Sequence, residues 1–179
     1  MHTDRQLINQ CLKHERKAQK KLFDKFAPIL LGVCIRYTKD RSEAEDVLQE
    51  VFVKIFKSLN QFEDKGSFEG WLKRIAVNTA ITNYRQNKKH SFHDDITEVN
   101  ETRIENTSDN DVEFTHEELL NVILELPDGY KMIFNLYAIE GYKHREIAEM
   151  LSIDVNTSKS QYSRARKLIQ RKLEKLKVK

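Results

Sequence analysis

The chain has 179 residues, enough for one ordinary domain or two small ones, since domains most often run to about 100–150 residues, and too few for an elaborate enzyme. With only 5 Gly and 2 Pro it lacks the turn punctuation of a sandwich or barrel and any glycine-rich phosphate cradle, so the composition favours helices. Charged residues make up 33% for a net charge of +3, and the longest apolar stretch, 27–35, is broken by Pro28 and Gly32, short of the roughly 18 apolar residues a membrane span needs; a soluble protein without membrane insertion is expected.

The first ten residues, MHTDRQLINQ, lack the basic, apolar, small-residue order of a secretory signal, and Cys11 and Cys34 both fall inside helical patterns. A cytoplasmic chain with reduced thiols is the expectation. The small net charge conceals a partition: residues 1–90 hold 18 Lys+Arg against 11 Asp+Glu, residues 91–128 hold 1 against 12, and residues 129–179 hold 12 against 5. The local balances are +7, −11 and +7. Two basic blocks joined by an acidic tether suit a protein that meets a polyanion at two places, although charge alone leaves a plain solvated surface equally open.

In chain order, Leu7, Ile8, Cys11 and Leu12 make a first short helical stripe, and Leu22, Phe23, Phe26, Leu30, Val33, Cys34 and Tyr37 a longer second one. Ser42, three residues before Glu45, has the spacing of a capping box and predicts the start of a third helix. Its stripe is Val47, Leu48, Val51, Phe52, Ile55, Phe56 and Leu59. Residues 60–67 (NQFEDKGS) read as a loop, and Ser67 is placed to cap a fourth helix with the stripe Phe68, Trp71, Leu72, Ile75, Ala76 and Thr79. Residues 88–114 lose the periodicity and turn polar and acidic, as a flexible linker does.

Thr115 and Glu118 repeat the capping-box spacing and open a second helical domain with Leu119, Leu120, Ile123, Leu124 and Leu126. Pro127 breaks it from a stripe of Met132, Ile133, Leu136, Tyr137 and Ile139, which Gly141 is placed to end as a left-handed cap. A short helix near 143–151, a tight turn at Ser152, Ile153 and Asp154, and a long helix from Val155 to about Leu176 complete the chain. The expected fold is all-α: two small helical domains, 1–89 and 115–179, joined by a flexible acidic linker, 90–114.

Two helices of unequal length joined by about three residues, the second strongly basic, form a helix-turn-helix. With Asp154 as cap, the second helix puts Val155, Tyr162, Ala165, Ile169 and Leu173 on its core stripe and leaves Asn156, Thr157, Lys159, Ser160, Gln161, Arg164 and Lys167 outward. Gln161 and Arg164 are candidates for base edges, and Lys159, Arg166 and Lys167 for phosphates. A basic helix that merely completes a bundle is the plainer alternative. In the third helix Glu43, Glu45, Asp46, Gln49 and Glu50 precede Lys54 and Lys57. That order suits the helix dipole, but an acidic, partly apolar helix in a basic domain repels DNA and is better used against a protein. The fourth helix interleaves Trp71, Arg74, Asn78, Asn83, Tyr84 and Arg85, groups that stack on and hydrogen-bond to unpaired bases, while Trp71 fits a core position equally well by spacing.

Catalysis finds little support. The metal-ligand spacings present, Glu113 to His116 (EFTH) and His90 to His93 (HSFH), are too few for a di-iron bundle, the cysteines are not spaced for zinc, and no Ser-His-Asp order emerges. A non-enzyme without metal or cofactor is expected.

Together these segments resemble bacterial RNA polymerase sigma factors of the extracytoplasmic-function (ECF) group of the sigma-70 family. SEAEDVLQEVFVKIFKSL (42–59) is similar to that family's polymerase-binding region, FEGWLKRIAVNTAITNYR (68–85) to the region that recognises and opens the minus-ten element, and residues 126–173 to the helix-turn-helix that binds the minus-thirty-five element. The resemblance implies docking of Asp46, Leu48, Gln49, Glu50, Phe52 and Val53 on the clamp helices of the largest subunit of core RNA polymerase. It implies minus-ten DNA contacts from Asn60, Gln61, Phe62, Ser67, Trp71, Arg74, Asn78, Asn83 and Arg85, and contacts to the upstream promoter DNA from Asn156, Thr157, Lys159, Ser160, Gln161, Arg164, Arg166 and Lys167. An anti-sigma factor is a further implied partner. The chain departs from the family at Ser152 and Asn156, where Gly is common, at Ser158 (Val), at Gln161 (Arg) and at Tyr162 (Leu), all on DNA-reading ground. The main rival is a helix-turn-helix regulator that binds duplex DNA without polymerase; an adaptor whose basic helices bind an acidic protein is a third reading.

Overall fold

A computed structural model describes residues 2–90 and 114–177, and its contacts divide the chain into two compact units, Met1–Asn87 and Lys88–Lys179. All regular structure among the described residues is helical. The amino-terminal unit holds α1 (His2–Leu12), α2 (Arg16–Ile35), α3 (Arg41–Ser58), a single 3-10 turn (Leu59–Gln61) and α4 (Phe68–His90). Most of the expected linker, together with Glu113 and His93 of the two metal-ligand spacings, lies outside the described residues.

The first core is built where α2 meets α1 and α3, and Leu22, Leu30, Val51 and Ile55, together with Leu72 of α4, are all closed to solvent. Full burial of each such leucine or isoleucine stabilises by about 1.5–3 kcal/mol. Phe23, expected on the α2 stripe, is instead 41% exposed: it stands at the edge of that stripe, with one side of its ring against Phe52 at 4.5 Å. The start of α3 also differs from expectation. Thr38 donates its hydroxyl to the Cys34 carbonyl at 3.1 Å, the chain then extends at Asp40 (φ −145°, ψ 175°), and Asp40 Oδ1 accepts from Glu43 N–H at 2.9 Å. Asp40 is therefore the cap; Ser42 falls within the first turn and cannot serve. Ser67 does cap α4, accepting from Gly70 N–H at 2.9 Å. A Cβ at position 70 would lie 2.9 Å from that hydroxyl oxygen, so glycine there keeps the cap in reach.

The carboxyl-terminal unit holds α5 (His116–Leu124), α6 (Asp128–Phe134), a π-helical turn (Asn135–Ile139), α7 (His144–Leu151) and α8 (Val155–Lys177). Thr115 and Glu118 form the expected capping box, and α5, α6 and α7 all pack on α8. Val122 and Leu126 carry the core side of α5 and the turn after it, whereas Leu119, expected inside, is exposed. At Asn135 the helix widens: Glu140 N–H donates to the Asn135 carbonyl at 3.0 Å, five residues back. Leu136 stays buried, but Tyr137 and Ile139, expected on the core stripe, turn to the surface. Gly141 ends the segment at φ 79°, as its position requires. No helix among the described residues is long and apolar enough to cross a membrane.

Candidate nucleic-acid interface

In the carboxyl-terminal unit α7 ends at Ser152, which takes a left-handed conformation (φ 56°, ψ 48°), and Asp154 Oδ1 accepts from Asn156 N–H at 2.7 Å to begin α8. The helix-turn-helix expected from sequence is thus present, with its cap. Ser158 and Ala165 are closed to solvent on the inner side of α8, and Val155, Tyr162, Ile169 and Leu173 are half-buried around them. At about 100° per residue, Asn156, Lys159, Ser160 and Lys167 fall on the side of α8 away from Ala165 and Arg164 stands at the border of that side, and all five are exposed.

The remaining expected contacts sit less favourably. Gln161, expected to project outward, is half-buried because its position falls at the edge of the inner stripe, and Thr157 is half-buried as well. Arg166 is exposed but stands on the flank opposite to Arg164, beside Phe134 and Ile169. Ser158, left off the expected stripe as a polar residue, proves to be one of its centres; its spacing of seven from Ala165 was the available signal.

In the amino-terminal unit Asp46, Gln49 and Val53 are exposed on α3, Val53 to 51%, and spacings of three and four keep them on one face. Leu48 and Phe52, expected among the docking residues, are buried core positions and can only support that face from behind. Glu50 is half-buried. Its carboxylate takes the Lys54 ammonium at 2.8 Å and the Asn83 amide of α4 at 3.0 Å. These bonds, Lys54 first, hold its pKa below the usual value against the opposing effect of burial.

Asn60, Gln61 and Ser67 are exposed around the loop before α4, which reverses through Asp64 (φ 61°) and Gly66 (φ 108°). Phe62 is half-buried, with its ring 5.1 Å from Phe68 and 5.6 Å from Trp71. Trp71 lies nearly parallel to Phe68 at 5.9 Å and 15°. The indole is therefore neither wholly core nor free: it backs on the aromatic cluster and keeps part of its surface open. Arg74, Asn78 and Arg85 are exposed, and their spacings of four and seven align them on the side of α4 that Trp71 begins. Asn83, nine residues after Arg74, faces the opposite way, which is why it meets Glu50. Its expected place at the DNA contacts is not with this row.

No group of three or more metal-ligating side chains occurs among the described residues. What the surfaces offer is recognition: an acidic and apolar patch on α3, a cationic and amide row with an aromatic neighbour on α4, and a cationic helix face on α8.

Comparison with known proteins agrees with this layout. The family described as Sigma-70 region 2 matches residues 22–90, and that described as Sigma-70, region 4 matches residues 116–169. The ECF RNA polymerase sigma-E factor of Haemophilus influenzae is 32% identical over 97% of each chain. The RNA polymerase sigma-H factor of Pseudomonas aeruginosa is 28% identical over 97% of this chain and 95% of its own. Among solved structures, the sigma factor RpoE of Bartonella quintana, determined with the anti-sigma factor NepR, aligns over 87% of this chain and 96% of its own at 20% identity, with a TM-score of 0.49.

The two matched regions lie one in each compact unit, in the order read from the sequence. The chain belongs to the sigma-70 family, in its ECF group of RNA polymerase sigma factors. It is thereby a transcription-initiation factor, of a family that lends specificity to a polymerase and is not itself enzymatic.

Proposed function

We propose that residues 1–89 form the unit that binds core polymerase and opens the minus-ten element, and residues 115–179 the unit that binds the upstream minus-thirty-five duplex. On α3, Asp46, Gln49 and Val53 dock on the clamp helices of the largest subunit, with Leu48 and Phe52 as packed support and Glu50 at the edge. Asn60, Gln61 and the aromatic cluster at Phe62 receive a base turned out of the non-template strand. Arg74, Asn78 and Arg85 then follow the opened strand. Extruding a base costs a few kcal/mol, which stacking and phosphate contacts must offset. On α8, Arg164 reads base edges, with Ser160 and Asn156 one and two turns before it along the helix, while Lys159 and Lys167 neutralise phosphates.

The observation that carries this reading is the coexistence in one chain of a capped helix-turn-helix with a cationic outer face and a separate unit with an exposed acidic α3 surface and an exposed cationic and amide row on α4. The protein works in the cytoplasm, as a subunit that leaves polymerase after initiation. An anti-sigma factor holds it inactive by covering the α3 patch; such a partner and core polymerase must exclude each other on the purified chain, and simultaneous binding would refute that control.

The test is transcription by core polymerase from the source organism on sheared genomic DNA, with and without the protein, with RNA starts mapped. Discrete new starts that share upstream motifs are expected. No new starts, together with sequence-specific duplex binding by the protein alone, would replace this reading with that of a polymerase-independent regulator.

A further inference from the structure

Between α7 and α8 lies an aromatic cluster that the outward face of α8 does not use. His144, the first residue of α7, is half-buried. Its ring stacks on Tyr137 at 4.3 Å and 15° and stands edge-on to Tyr162 at 5.7 Å, while the two tyrosines touch at 4.5 Å. Its Nδ1 lies 3.0 Å from the hydroxyl oxygen of Ser158, which is closed to solvent on the inner side of α8. One imidazole thus joins three elements: the π turn through Tyr137, α7 through its own backbone, and α8 through Ser158 and Tyr162.

The surroundings favour a neutral ring. Burial and, after it, the Lys159 ammonium on α8 hold the pKa of His144 below its ordinary value, and the amide dipoles at the start of α7 present their positive end to it. The titratable rings packed on it are Tyr137 from the π turn and Tyr162 from α8. On α7 itself Arg145 adjoins it, and Glu146 accepts from Lys143 N–H at 2.7 Å.

We infer that neutral His144 is a positioning residue for α8: its Nδ1 accepts the Ser158 hydroxyl and fixes the helix against α7, so that promoter selection weakens when the ring takes a proton. The inference rests on the reading of α8 as the helix that recognises the upstream element. Protonation converts Nδ1 into a donor, removes the acceptor from Ser158 and places a cation beside Lys159. A released ring binds the proton more readily than the packed one. The packed arrangement is therefore fully populated above the ordinary imidazole range and is lost as pH falls below it. A charged ring also adds affinity for any phosphate backbone, so selectivity, not raw affinity, is the quantity that reports the helix.

Two measurements decide this. Imidazole NMR of the full chain, assigned with His144→Phe, is expected to show His144 as the Nε2–H form titrating below the ordinary value, with the amides of Ser158 and Tyr162 following the same midpoint; Ser158→Ala moves that midpoint upward. Titration at or above the ordinary value, or α8 amides that do not follow, overturns the inference. In the second measurement, holoenzyme carrying native or His144→Phe protein is offered a promoter and the same promoter with a scrambled upstream element. The preference of the native protein falls several-fold, at most about tenfold at one pH unit below the ordinary imidazole value, and that of His144→Phe stays flat. An equal fall in both sinks the role of His144. Absence of any preference at neutral pH sinks the assignment of α8 instead, and the NMR titration then decides the histidine alone.

Discussion

Asp40 opens α3 because an extended backbone and a short carboxylate bring its Oδ1 onto the Glu43 amide at 2.9 Å. Glu43 answers by accepting from Lys39 N–H at 2.8 Å. Asp40→Ala is expected to lower the stability of the full chain by about 1 kcal/mol, read by thermal denaturation, whereas Ser42→Ala leaves it unchanged. A loss at Ser42 instead would return the cap to the position its spacing first suggested. Asp46, on the same helix, has a different role: its carboxylate is exposed on the face proposed for docking. Asp46→Lys should abolish association with core polymerase while the helical circular dichroism stays intact, and retained binding would remove the assignment.

At the scale of elements, α3 and α4 are tied by Glu50 to Asn83 at 3.0 Å and by Glu43 to Asn87 at 3.1 Å. Because the folded Glu50 carboxyl is held below its usual pKa, its contribution is present above the ordinary carboxylate range and is lost as pH falls through its own lowered value. Denaturation across that range should therefore show Glu50→Gln destabilised near neutrality and converging on the native protein in acid; a constant difference would mean that charge is not involved. On α8, Arg164→Ala is expected to cost about 1–3 kcal/mol at one promoter position and to relax selection there. Competition among single-base variants checks this, and an equal loss on every sequence would make Arg164 a phosphate contact.

The helices were legible because their signals are local and redundant: Thr115 with Glu118, Ser67 before α4, Pro127, Gly141 and Asp154 all punctuate where expected. What periodicity could not convey was rotation about the helix axis. A π turn has no compositional mark, so the outward swing of Tyr137 and Ile139 was invisible, and the rule that polar residues face water hid Ser158 inside. The α4 contact row was half legible: Arg74, Asn78 and Arg85 share a face by arithmetic alone, but that Asn83 is occupied required knowing where α3 lies.

For the whole molecule, the two units each bury their own apolar set, one around Leu22, Leu30, Ile55 and Leu72, the other around Leu126, Tyr130 and Ala165. Leu72→Ala should cost about 2–5 kcal/mol and speed amide exchange in the amino-terminal unit, with exchange in the carboxyl-terminal unit unaffected; acceleration in both would show that the halves unfold as one. The chain's sulfur chemistry follows the same division. Its two cysteines, Cys11 and Cys34, are both buried in the amino-terminal unit, and burial pushes the Cys34 thiol up to about 12. Since the thiolate is the reactive form, a thiol reagent can reach them only when that unit opens, and the other half has no thiol to answer. The molecule carries its own clock: the rate of alkylation counts the openings of one half alone, in the free protein and in the transcription complex, and any partner that clamps that half will be seen to slow it.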